Sequence, residues 1–233
     1  MSRRAACLLS FTPSALASSA LLAMMCVSGV AQAQFTPTGA QDRKADPEMQ
    51  KRTARSGLVV ALMAGWGISG ASGYPNNSNQ IGDPEYYSSS DVMAGSGGGL
   101  FVGGALADYL NFGIFFVGQS FKSHDWQSRM GGFGFRVETF PLVYAVPTLK
   151  NLGAFAQFGI GTEKLDVVAP GYPEASGVQS FIGVGVMYEW KIFSLFGGHA
   201  VAGPTLEYDN VFAQSISSGA GILGGRIAFY GGM

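Results

Sequence analysis

Hydrophobic and polar positions alternate with a period of two along eight stretches of this chain. They are Leu58–Ser69, Val92–Leu106, Asn111–Lys122, Arg129–Phe140, Leu152–Leu165, Gly177–Trp190, His199–Asp209 and Ser217–Tyr230. Between Asn111 and Phe121 one face reads Phe112, Ile114, Phe116 and Gly118. In the next stretch Phe133, Phe135 and Val137 share a face, and Gly132, Gly134, Arg136 and Glu138 share the other. In Gly177–Trp190, Val178, Ile182, Val184, Val186 and Tyr188 oppose Gln179, Gly183, Gly185 and Glu189. A period of two puts alternate side chains on opposite sides of a sheet, so each stretch predicts a β-strand. The face opposite the bulky one holds glycine with scattered charge, where a soluble sandwich would show Lys, Thr and Asp. The pattern therefore predicts an inverted barrel, with a small or charged lumen and an apolar outside. The interior of an eight-stranded barrel is just wide enough for side chains, and glycine there leaves room for one as large as Arg136.

Composition sharpens this picture. Charged residues make up 12% of the chain, about half the ~25% usual for soluble domains. Beyond the first thirty-odd residues the longest apolar runs are Gly57 to Ile68 and Gly97 to Ala107, too short for the ~20 residues of a spanning helix. A closed barrel pairs every backbone N–H and C=O internally and so crosses lipid without such a helix. The expected fold class is all-β, an eight-stranded antiparallel transmembrane up-and-down β-barrel over residues 57–233. An even strand number brings both termini to one side. The connections fit: Asp108–Leu110, Pro141–Asn151 and Lys191–Gly198 are shorter or apolar and turn-like. Gly70–Asp91, Ser123–Ser128, Asp166–Ser176 and Asn210–Ile216 are polar on average. Membrane barrels have short periplasmic turns and longer external loops, which puts Gly70–Asp91 outside. Trp66, Tyr109, Trp126, Phe140, Tyr144, Tyr188, Trp190, Tyr208, Phe229 and Tyr230 gather near segment ends, as an interfacial belt would.

The beginning of the chain reads differently. Arg3 and Arg4 precede an apolar stretch from Ala15 to Val30 that ends in Ala31-Gln32-Ala33. This is the pattern of a secretory signal peptide over residues 1–33, cleaved after Ala33. Both cysteines, Cys7 and Cys26, lie within it, so the exported chain is expected to hold no disulfide or thiolate site. Residues 34–56 form a charged, Pro-containing periplasmic segment with a basic cluster at Arg43, Lys44, Lys51, Arg52 and Arg55. It suits a tail or a short amphipathic helix near Pro47–Arg55. From Gly57 onward there are 7 basic and 12 acidic residues, which excludes the basic face a nucleic acid needs.

The signal peptide, the eight alternating segments and the closing run Gly224-Gly225-Arg226-Ile227-Ala228-Phe229-Tyr230 together resemble the small outer-membrane barrels of the OmpA/OmpX type. Ile227 and Phe229 match the alternating hydrophobics of that family's last strand. The chain then runs on through Gly231, Gly232 and Met233, so the aromatic is not last. The resemblance covers about Gly57 to Tyr230. It implies the outer membrane of a Gram-negative bacterium as the location, with outer-membrane lipids and lipopolysaccharide as surroundings. It also implies the barrel-assembly machinery and periplasmic chaperones as partners in biogenesis, and a monomer.

Six charges fall on the glycine-rich side of the strands: Arg136, Glu138, Glu163, Glu189, Glu207 and Arg226. Facing lipid near mid-membrane, an Arg or Lys would cost about 2–4 kcal/mol, so these six are expected to form a polar network in the lumen. Such a network serves either as a salt-bridge plug or as a gated ion path or binding site. The only histidines are His124, beside Ser123, Asp125 and Ser128, and His199. A Ser–His–acid hydrolase would need them close in space. No cofactor is expected: Gly95-Ser96-Gly97-Gly98-Gly99 lacks the Lys-Ser/Thr of a phosphate loop. No resident metal is expected either; Asp83, Glu85 and Asp91 read as solvated loop acids. The expected role is structural or surface-interacting through the external loops. The alternatives are a narrow channel for small solutes or ions and, behind both, a lipid-modifying enzyme.

Overall fold

A computed structural model describes residues 55–168, 174–195 and 197–231. The expected signal peptide, its cleavage site and residues 34–54 lie outside the described residues. Ten strands follow one another: β1 Gly57–Gly73, β2 Ser88–Ser89, β3 Met93–Ala107, β4 Leu110–Lys122, β5 Trp126–Thr139, β6 Leu152–Val167, β7 Ala175–Tyr188, β8 Trp190–Leu195, β9 Gly198–Phe212 and β10 Ile216–Gly231. All but β2 and β8 form the wall of a closed eight-stranded antiparallel barrel. Each wall strand pairs with the next, and β10 returns to β1 from Leu58↔Gly231 to Gly73↔Ile216. The fold is thus the all-β, eight-stranded barrel that the alternation predicts.

One end, the terminus side, carries the start of β1, the end of β10, the connection at Asp108-Tyr109 and residues 140–151. The other, the loop side, carries the longer connection between β1 and β3. There β1 runs on to Gly73 and gains β2 through Ser72↔Ser89 and Gly73↔Ser88. Its acids do not gather: the Asp83 carboxylate accepts from the Glu85 N–H (3.1 Å) and caps a short 3-10 turn, Pro84–Tyr86.

The stretch Lys191–Gly198 departs from the expected turn. Most of it is β8, which continues the register of β7 along β9: Met187↔Thr205 before the break and Trp190↔Ala202 after it. The break lies at Tyr188-Glu189, opposite Gly203-Pro204. Pro204 has no N–H to give to a ladder, so pairing lapses there. The Glu189 N–H donates instead to the Asn151 carbonyl (3.1 Å). The reversal into β9 has Gly197 at φ 77°, a left-handed conformation that glycine adopts without strain.

The outward face is apolar. Leu62, Trp66, Phe116, Phe133, Phe158, Leu206, Leu223 and Ile227 all stand exposed on the wall, Trp66 by 77%. The interior corrects one expectation, for it is not lined by small and charged residues alone. Val59, Met63, Phe101, Phe115, Phe181 and Tyr230 pack together within it. Met93, Phe121, Trp126, Leu165 and Ile216 fill its loop side, and Phe140, Phe155 and Met187 its terminus side. Glycine makes the space for these rings. Phe181 faces Gly159 across the β6–β7 ladder and Phe155 faces Gly185, and a Cβ on either glycine would run into the opposing ring. The lumen is a packed core.

Candidate functional site

Alternation along β5, β6, β9 and β10 aims Arg136, Glu138, Gln157, Glu163, Glu207, Asp209 and Arg226 into this core, where all are buried. Charge cannot stay there unpaired, because desolvation of each ion costs several kcal/mol. All of these side chains but Glu163 meet that demand in one connected hydrogen-bonded chain.

Glu138 lies near its centre. Its Oε1 accepts from Arg136 Nε (3.0 Å) and its Oε2 from Arg226 Nη2 (2.8 Å) and Asn111 Nδ2 (3.0 Å). Arg226 also pairs through Nη1 with Glu189. Glu189 further accepts from the Tyr230 hydroxyl (3.0 Å) and from Arg55, whose Nε and Nη2 each lie 3.2 Å from Oε2. In the other direction Arg136 Nη1 donates to Gln157 Oε1 (2.9 Å). Gln157 Nε2 then donates to Glu207 and to Asp209 Oδ1 (2.9 Å), and Gln119 donates to Asp209 Oδ2. Aromatic faces complete the lining. The Arg136 guanidinium lies 3.5 Å from the Phe155 ring centroid, and that of Arg55 lies 3.5 Å from Phe140. Cations over rings gain most where water is excluded.

Five of the six expected lumen residues, Arg136, Glu138, Glu189, Glu207 and Arg226, therefore share this chain. Glu163 is buried apart from it, nearer the loop side. Its two carboxylate oxygens accept from the Ser128 and Ser218 hydroxyls, each at 2.7 Å. Asn111, Gln119, Gln157, Asp209, Tyr230 and Arg55 also belong to the network, and sequence reasoning did not name them for it. Parity carries a signal for some: Asp209 is two residues from Glu207 and so shares its face, as Gln157 does with Glu163. Arg55 has no such signal, because it precedes the first strand.

The histidines stand elsewhere. His124 is exposed and contacts Asp125 (Nδ1 to Oδ1, 2.6 Å), while the Ser123 hydroxyl accepts from the Trp126 N–H (3.2 Å). His199 stacks on Tyr230 (5.1 Å between centroids, 10° between planes). No serine hydroxyl reaches either ring among the described residues, and none of them form a group of three acids or histidines fit for a metal.

No protein-family model matches the chain, and no curated protein does. Solved structures do resemble it. Neisserial surface protein A is 13% identical over 75% of this chain and 97% of its own, with a TM-score of 0.44. Ail, the attachment invasion locus protein of Yersinia pestis, is 12% identical over 74% of this chain and 99% of its own, with a TM-score of 0.45. The N-terminal β-barrel domain of Pseudomonas aeruginosa OprF is 10% identical over 75% of this chain and 100% of its own, with a TM-score of 0.44.

Proposed function

We propose that this chain is an integral barrel of a bacterial outer membrane whose lumen is closed, and that it acts as a structural or surface-interaction protein through its loop side. One observation carries the reading: bulky apolar side chains encircle the outside while ionised side chains are paired within. An apolar surface of that extent is a liability in water and a requirement in lipid. The terminus side then faces the periplasm. The first long connection, with Tyr74 and Tyr87 in ring contact (5.2 Å between centroids), then faces out and is the longest stretch offered to a partner on that side. This reading assigns no catalysis: the His124 ring contacts Asp125 and the His199 ring stacks on Tyr230.

The test is planar-bilayer conductance of the refolded chain, with insertion verified by a heat-sensitive gel shift. An inserted and silent barrel is the expected result. Reproducible small steps would replace it with the second reading, a narrow gated path. A specific observation favours that second reading too. Asn111 Oδ1, Arg136 Nη2, Arg226 Nε and both amide atoms of Gln179 are buried without a hydrogen-bond partner, and such atoms are places for ordered water.

A further inference from the structure

At the loop-side end of the wall, outward-facing cations occur on three adjacent strands only: Lys122 on β4, Arg129 on β5 and Lys164 on β6. The outward positions at the same end of β1, β3, β7, β9 and β10 include Ser72, Ser96, Ser180, Asn210 and Ser217, and none is charged. The register lays the three strands out in rows. Lys122↔Gln127↔Asp166 comes first, with the Asp166 carboxylate turned to Lys164, then Ser120↔Arg129↔Lys164, then Gly118↔Gly131↔Thr162. Below these come Phe116↔Phe133↔Ile160 and Ile114↔Phe135↔Phe158, with rows about 7 Å apart.

Three features of this face fit one ligand. Lys122 and Arg129 have no carboxylate partner among the described residues; Arg129 donates only to the neutral Gln127 amide (3.1 Å). Lys164 is shared with Asp166 and Glu174, yet it stands directly across from Arg129, a like-charge pairing that an anion would relieve. In the next row two of the three positions are glycine. A Cβ built on Gly118 or on Gly131 meets nothing within 4 Å, so the paired glycines leave a notch beneath the cations. The rows beneath hold contacting phenylalanines, with Phe116–Phe133 centroids 6.5 Å apart and Phe135–Phe158 centroids 5.7 Å apart.

We infer that the β4–β6 face is a binding site for a phosphorylated lipid of the outer leaflet. Its phosphate sits between Lys122 and Arg129, with Ser120 and Gln127 as further donors. Its linking sugar or glycerol crosses the Gly118–Gly131 notch, and its acyl chains lie along the phenylalanines. A soluble anion would use the cations alone and leave the Gly118–Gly131 notch unfilled. The inference rests on the membrane reading above.

The test uses the refolded full chain in zwitterionic detergent, titrated with bis-phosphorylated lipid A and with the same lipid stripped of phosphate, with retained lipid read by native mass spectrometry. Phosphate removal and the double variant Lys122→Gln/Arg129→Gln are each expected to weaken binding about tenfold or more, since a charge-assisted contact is worth that much. Gly131→Leu fills the notch and should also lose the lipid with every charge intact. Lys191→Gln, on the terminus side, should bind as the parent does, and the heat-sensitive gel shift shows that each variant is folded. Equal binding by the double variant and the parent would overturn the site. So would displacement of lipid A by inorganic phosphate at equal concentration, which would reassign the cations to a soluble anion. A parent chain that fails to insert into phosphatidylcholine vesicles would overturn the membrane reading and the site together. Insertion without phosphate-dependent binding would overturn the site alone.

Discussion

Glu138 is shared between two guanidiniums and an amide, whereas Arg136 has one carboxylate and one amide. The asymmetry ranks two substitutions. Glu138→Leu leaves both Arg136 and Arg226 short of an acceptor, and breaking a buried pair costs about 3–5 kcal/mol. Arg136→Leu leaves Glu138 still held by Arg226 and Asn111, and its loss should be smaller. Urea unfolding of the refolded barrel in detergent is expected to show both midpoints falling, with Glu138→Leu the lower. An unchanged midpoint for Arg136→Leu would show that its guanidinium contributes nothing to the fold. At this scale the charged positions are readable from parity, because Gly132, Gly134, Arg136 and Glu138 alternate strictly with bulky neighbours. Of the neutral partners, Gln157 shares the parity of Glu163, and the others are harder to read. Asn111 lies directly across the β4–β5 ladder from Glu138, while Gln119 looks like an ordinary strand residue until the sheet curls and sets it against Asp209. Phe181 misleads in the other direction: it sits on the glycine side of its strand, and only the bare backbone of Gly159 opposite explains how it fits.

Strands fare better than their ends. Alternation finds all eight wall strands because the wall separates two environments along their whole length. It stops at Asp209 in β9, where hydrophobic contrast fades, although pairing continues to Phe212. The break between β7 and β8 is a matter of hydrogen bonding and leaves no trace in hydropathy. Pro204 alone hints at it, from the neighbouring strand. On the outside of β5, Phe135 lies between Phe112 and Phe158, 5.9 Å and 5.7 Å away by ring centroid, in the middle of the apolar band. Phe135→Arg should cost about 2–4 kcal/mol of stability in lipid vesicles, while Phe135→Leu should be nearly neutral. The comparison is read from the folded fraction in a urea series. Equal midpoints for the two would mean that this face does not meet hydrocarbon.

For the molecule as a whole, the pairs that join strands across the lumen are out of reach of solvent ions. Raising the salt from about 0.01 to 1 M should therefore leave the urea midpoint almost unchanged, since buried pairs are screened far less than exposed ones. A large fall would place the stabilising charges on the surface instead. These pairs are also far apart in sequence. Arg55 reaches a carboxylate 134 residues further on, and Arg226 grips Glu138, 88 residues before it. Neither contact exists until the last strand has met the first. A sheet zipped from β1 to β9 but still open would hold the carboxylate of Glu138 without the second guanidinium that completes its shell, beside an unsealed edge. The seam is thus also a latch. Partly assembled barrels are penalised until the final strand arrives, and arrival settles wall and interior in one step, so insertion should proceed with no long-lived half-closed species.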